Sequence, residues 1–129
     1  MLATLRKRLA HDEGGFTLIE LLVVLVIIGI LLAIAVPSYL GFKDRANQRA
    51  AQSNVRAAIP SAEAFYSDNN TYVGMNNAAL KLIDSGLSAT IATSGLSSTT
   101  YCISDSVGGK NAHASGPGGR ATKLNCAGA

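Results

Sequence analysis

The unbroken apolar run from Leu21 to Val36 constrains this chain more than any other feature. No polar side chain interrupts it. With Phe16 to Glu20 added, a helix here would be roughly 30 Å long at ~1.5 Å per residue, about the hydrocarbon thickness of a bilayer. Such a segment can cross a membrane once. Glu20 falls one helical turn inside the apolar run counted from Phe16, at a depth where an ionised carboxylate costs several kcal/mol unless it has a partner. Position alone leaves two readings open: a carboxylate just inside the membrane interface, or a charge kept for a partner.

The neighbours of Glu20 separate these readings. Gly14-Gly15-Phe16-Thr17-Leu18-Ile19-Glu20 follows a short basic leader and precedes a long apolar helix, with Gly29 and Pro37 inside or at the end of the apolar run. This arrangement resembles the processing site and N-terminal helix of type IV pilins, with the pseudopilins of type II secretion as nearest relatives. The resemblance implies cleavage between Gly15 and Phe16 by a prepilin peptidase, which also N-methylates the new amino terminus of Phe16. It implies that Glu20 meets the amino terminus of a neighbouring subunit as the inner-membrane assembly platform builds a helical homo-oligomer. The physics agrees. A cationic amine on Phe16 and an anion on Glu20 are each costly in hydrocarbon, and pairing them between subunits lowers both costs while fixing axial register.

The expected fold is α+β: a long N-terminal transmembrane and filament-core α-helix packed on a small antiparallel β-sheet, the type IV pilin fold. Residues 1–15 form a cytoplasmic leader peptide and 16–37 the membrane and filament-core half of the helix. Residues 38–129 form an outward-facing domain that includes the helix's second half. The leader differs from a secretory signal peptide because the implied cut lies before the apolar run, which therefore stays in the product. Arg6, Lys7 and Arg8 keep their end cytoplasmic by the positive-inside tendency. The expected location is the inner membrane first and an extracellular filament afterwards.

The formal charge of +3 overstates the basicity of the mature part. Of 11 Lys and Arg against 8 Asp and Glu, removal of residues 1–15 takes Arg6, Lys7, Arg8, Asp12 and Glu13, leaving eight against six. A nearly neutral chain offers no global case for nucleic-acid binding. The two cysteines, Cys102 and Cys126, both lie beyond the apolar run on the oxidising side. A disulfide between them is expected to contribute about 3 kcal/mol, a large share for a small domain. No metal site is expected, since His113 is the one histidine left after processing and no further Cys stands near.

After Pro37 the pattern turns amphipathic. Ala46, Ala50, Ala51, Val55, Ala58, Ile59, Ala62, Phe65 and Tyr66 recur at spacings of three and four, opposite a face rich in Lys, Arg and Gln. This predicts one helix from Phe16 to about Asp68 whose second half packs on a domain through Val55, Ile59 and Phe65. Pro37, with Gly29 two turns earlier, marks a segment able to bend; Pro60 predicts a second bend or a break. Asn69 to Gly74 are turn formers, and Asn69-Asn70-Thr71 matches a glycosylation sequon. A short helix over Asn76–Ser85, stopped by Gly86, is expected next. Strands are expected at Leu87–Ile91, Thr99–Ile103 and Ala121–Cys126, with turns at Gly108-Gly109 and Gly116–Gly119.

Between the cysteines, Lys110, His113, Arg120 and Lys123 face Asp105 as the one acid, which suggests a basic tethered loop. Lys110, Arg120 and Lys123 are candidates for surface binding, to DNA, an acidic surface or a neighbouring subunit, although no aromatic lies among them to stack bases. No catalytic set, phosphate loop or cofactor motif is visible, so no enzyme and no cofactor are expected. The leading reading is a structural subunit of a type IV pilus-like filament serving adhesion, motility or DNA uptake. The alternatives are a type II secretion pseudopilin and a membrane-anchored binding domain that never polymerises. The pilin branch is favoured by resemblance, because pseudopilins more often carry an acid-rich, calcium-binding C-terminal loop. Conduction along Phe16, Tyr39 and Phe42 has little warrant, since so few rings also serve as packing residues.

Overall fold

The computed structural model describes residues 15–122 and Cys126. Its elements are α1 (Leu18–Asn69), α2 (Asn77–Ile83), β1 (Ala92–Ser94), β2 (Tyr101–Val107) and β3 (Lys110–Gly116). The chain divides into two compact units at Leu40/Gly41. In the first, every side chain from Leu18 to Leu40 is exposed. This part of α1 is long and apolar enough to cross a membrane, with a mean hydropathy of 3.2 over its most apolar window.

Pro37 and Pro60 both lie within α1, and neither ends it. The break allowed at Pro60 therefore does not occur. The helix starts two residues later than Phe16, because Thr17 caps it, and it ends where Asn70 adopts a left-handed φ of 54°. The Asn70 amide donates to the Tyr66 carbonyl at 2.7 Å, so an asparagine closes the helix in place of the more usual glycine.

In the second unit the buried stripe of α1 is Ala51, Val55, Ala58 and Ala62, spaced four, three and four residues apart. Val55 holds the expected central position. Ile59 and Phe65 pack against the same core from its margin, partly buried. Small residues dominate this stripe, and the buried face of the sheet carries small residues of its own, Ala112 and Ala114. The strands are antiparallel in the order β1-β2-β3. In register, Tyr101 faces Gly116, Ile103 faces Ala114 and Asp105 faces Ala112, and all six are buried. A side chain at Gly116 would collide with the Tyr101 ring, so glycine at that position makes room for the tyrosine.

The strand expected at Leu87–Ile91 is not one. Leu87 and Ile91 are buried, but as turn residues, with the Asn77 side-chain amide donating to the carbonyls of Ser88 (3.0 Å) and Ile91 (3.1 Å). The Asn77 amide thus pins a turn that alternation alone cannot tell from a strand. The sheet begins instead at Ala92. The strand expected at Thr99–Ile103 is real but shifted to Tyr101–Val107. The span from Lys110 to Gly116 is strand β3, not a loop. Gly108 and Gly109, with φ of 54° and 78°, form the expected two-residue turn between β2 and β3. A Cβ at Gly108 would also strike the Asn47 side chain.

Of the expected third strand, Thr122 forms an isolated antiparallel bridge to His113, and residues 123–125 lie outside the described residues. Helix α2 is shorter than expected. Asn76 caps its start by accepting from the Ala79 amide at 2.8 Å. It ends at Ile83 before Gly86 is reached, with Asp84 in extended conformation as its C-cap.

Candidate assembly and surface sites

At the start of α1, Thr17 and Glu20 cap one another. The Thr17 amide donates to Glu20 Oε2 at 2.9 Å, and the Glu20 amide donates to Thr17 Oγ1 at 3.3 Å. The Thr17 carbonyl accepts the first helical hydrogen bond, from Leu21. This is a capping box, with Thr17 at the cap and Glu20 three residues on. Glu20 is therefore a first-turn residue and not one full turn inside the helix. The Thr-x-x-Glu spacing carried this signal, which the hydropathy of the run overshadows. Gly15 and Phe16 lie ahead of the cap, outside the helix, and both are exposed. Gly29 and Pro37 are helical, and a side chain at Gly29 would meet nothing within 4 Å.

The disulfide joins Cys102 on β2 to Cys126, with a Cα–Cα distance of 6.0 Å and a sequence separation of 24. It ties the end of the described chain to the middle strand of the sheet. The β2-β3 hairpin is also fastened to α1 by polar contacts. Gln48 Nε2 donates to the Asn111 carbonyl at 2.7 Å, and Asn54 Nδ2 donates to Asp105 Oδ2 at 2.7 Å. Asp105 is only 3% exposed, and its other oxygen, Oδ1, has no hydrogen-bond partner among the described residues.

The expected basic loop takes a different form. Lys110 pairs with Asp44 of α1 at 3.4 Å, so its charge is partly answered within the chain. Arg120 is exposed, His113 sits in β3 with its ring 3.2 Å from Thr122 Oγ1, and Lys123 lies outside the described residues. The cationic cluster that the fold does assemble is on α1. Arg45, Arg49 and Arg56, with Gln48, Gln52 and Asp44, line a groove of about 630 Å³ closed on one side by Lys110. None of the three arginines has a salt bridge among the described residues. Their spacing of four and seven was visible as a charged helix face; that Lys110 completes a groove was not, because it depends on the hairpin.

A second cluster has no local signature in the sequence. Tyr66 stacks on Tyr72, which in turn packs at a tilt of 52° against Tyr101, each pair with ring centroids 4.6 Å apart. The Tyr72 and Tyr101 hydroxyls both donate to Glu63, at 3.1 Å to Oε2 and 3.0 Å to Oε1. Burial, reinforced by Glu63, pushes the Tyr101 phenol far above its usual 10.0 and raises Tyr72 in the same direction. Glu63 itself is exposed, so two buried phenols fix one surface carboxylate.

A protein-family profile described as the prokaryotic N-terminal methylation motif matches residues 11–36. The type IV wide pilus major component PilA4 of Thermus thermophilus is 38% identical over 98 residues, which cover 72% of this chain and 72% of that protein. The type IV major pilin protein PilA of Myxococcus xanthus is 43% identical over 71 residues, 55% of this chain and 32% of that protein. The type II secretion system core protein G of Escherichia coli is 34% identical over 77 residues, 60% of this chain and 53% of that protein. The chain thus spans less than two thirds of the length of the last two.

Proposed function

The chain belongs to the type IV pilin family, and from that membership we propose that it is the structural subunit of a type IV pilus-like surface filament. The observation that carries this reading is the start of α1: a capped helix with Glu20 in its first turn, followed by exposed, almost wholly apolar side chains as far as Leu40. An exposed face of that length needs lipid or other helices around it, and a filament supplies the second after the membrane has supplied the first.

In this reading residues 1–15 are the leader, 16–37 the membrane and filament-core segment, and 38–129 the outward domain. A prepilin peptidase cuts between Gly15 and Phe16 and methylates the Phe16 amine. Phe16 then presents a cation that the Glu20 carboxylate of a neighbour neutralises, so that register is set by charge in a surrounding of low dielectric. Gly29 and Pro37 soften the helix between them and let it adapt as subunits pack. The subunit waits in the inner membrane and leaves it through the assembly platform. The chain's part is mechanical, and no residue is assigned a catalytic role.

The similarity to type II secretion core protein G supports a second reading, a pseudopilin. The deciding measurement is the intact mass and N-terminal peptide of protein sheared from the cell surface. A chain beginning at N-methylated Phe16, two hydrogens lighter for the Cys102–Cys126 bond and recovered in filaments, is the expected result. Processed protein that never leaves the membrane would favour the pseudopilin.

A further inference from the structure

Arg49, Arg56 and Glu63 follow one another at intervals of seven on α1, so the three fall along one stripe of the helix. The stripe is basic at one end and acidic at the other, and each interval spans about 10 Å of helix. Two features set it apart from a solvated surface. The arginines line a groove and have no salt bridge among the described residues. Glu63, though exposed, is held by the hydroxyls of Tyr72 and Tyr101, themselves only 2% and 3% exposed. A surface glutamate ordinarily spends rotamer freedom when it forms an ion pair, which makes such pairs weak. Here two buried phenols have already removed that freedom, and a carboxylate retains lone pairs after accepting two hydrogen bonds.

We propose that Glu63 of one copy binds in the Arg49–Arg56 groove of a second copy of this chain, the two helices lying parallel and offset by about one seven-residue interval. That offset brings Arg56 level with the neighbour's Glu63. The occupant is a second copy because the stripe carries both halves of the match, and its contact is heterologous: the same pairing repeats from copy to copy without closing. A nucleic acid would answer the arginines but would be repelled by Glu63. The inference rests on the filament reading, which supplies the second copy, and adds a pairing outside the membrane that is separate from Phe16 and Glu20.

Arg56→Lys in the full-length protein keeps the charge and provides an amine for zero-length carbodiimide coupling in intact membranes. A link between positions 56 and 63 of the same chain would leave the mass of a monomer, so only coupling between copies yields a dimer. A covalent dimer whose linked peptides join positions 56 and 63 is therefore the expected result. Glu63→Gln removes the charge and keeps one acceptor oxygen for the tyrosines, its amide facing the other hydroxyl. It should abolish the dimer and lower filament yield by about tenfold, and Tyr101→Phe, which loses the same hydrogen bond without the charge, should keep both. Arg56→Glu, which leaves Glu63 and its tyrosine partners in place, should act as Glu63→Gln does. A Glu63→Gln variant with normal filaments and no coupled dimer in the Arg56→Lys protein would overturn the proposal, leaving Glu63 as an acceptor for buried phenols. Duplex DNA retained by the full-length protein in micelles and lost on Arg45→Glu with Arg49→Glu, while filaments persist, would also overturn it. A coupled dimer from cells that make no filament would sustain the pairing and refute the filament reading alone.

Discussion

Thr17 and Glu20 satisfy each other's amides, at 3.3 and 2.9 Å, so the carboxylate proposed for subunit pairing also completes the capping box of its own helix. The two roles separate by substitution. Glu20→Gln keeps a capping acceptor but no charge, whereas Thr17→Val removes the hydroxyl and costs the helix about 1 kcal/mol. Membrane insertion and leader cleavage should survive both changes and Glu20→Ala as well. Filaments should be lost with Gln or Ala at position 20 and persist, in reduced number, with Val at 17. Counting sheared filaments by electron microscopy decides it, and normal filaments from Glu20→Gln would remove charge pairing from the mechanism.

The Cys102–Cys126 bond closes a loop over a sequence separation of 24. In the chain-entropy model such closure stabilises by roughly 3 kcal/mol. Cys102→Ser with Cys126→Ser should lower unfolding free energy by about that amount, measured by urea denaturation of the purified full-length protein in detergent. The denaturant slope should also rise, because the uncrosslinked unfolded chain exposes more surface.

These features differ in how far the sequence alone discloses them. The apolar run, its continuation into an amphipathic helix and the Gly108-Gly109 turn are local patterns, and each appears where periodicity and turn chemistry place it. What local pattern could not settle is strand register. Leu87–Ile91 alternates as a strand does, yet Asn77 holds it as a turn from eleven and fourteen residues away. Lys110–Gly116 contains too much Gly, Ser and Ala to signal a strand, and becomes one because β2 and the helix lie beside it. The tyrosine cluster around Glu63 joins residues 9 and 38 positions apart, a relation that only the assembled fold creates.

Asn54 and Asp105 offer a test of how the helix holds the hairpin. Their hydrogen bond, to Asp105 Oδ2, is 2.7 Å long, and Asp105 Oδ1 has no partner among the described residues. Asn54→Ala leaves both oxygens of a buried side chain unsatisfied and should destabilise the domain by about 1–3 kcal/mol. Replacing both residues by leucine should cost less than the single change, because no polar group is then stranded. Urea melts of the two variants compare them directly. A double variant weaker than Asn54→Ala would mean that shape, not hydrogen bonding, governs the contact.

Tyr101 makes stability sensitive to alkali. Burial comes first among the causes, followed by the hydrogen bond to Glu63 and its charge, and all raise the folded-state phenol above its usual 10.0. A phenol whose pKa is raised by folding contributes stability that is fully present below the unfolded value near 10. Above that pH the unfolded chain loses its proton while the folded chain keeps it, so stability falls as pH rises toward the folded value. Tyr72 is shifted in the same direction and steepens the fall. Tyr101→Phe should lose about 1 kcal/mol at neutral pH with its hydrogen bond, yet decline less steeply than the parent above pH ~10. Melting temperatures of the two proteins followed from neutral to strongly alkaline pH should therefore converge. Parallel curves would mean that the Tyr101 hydroxyl is not protected from ionisation by the fold.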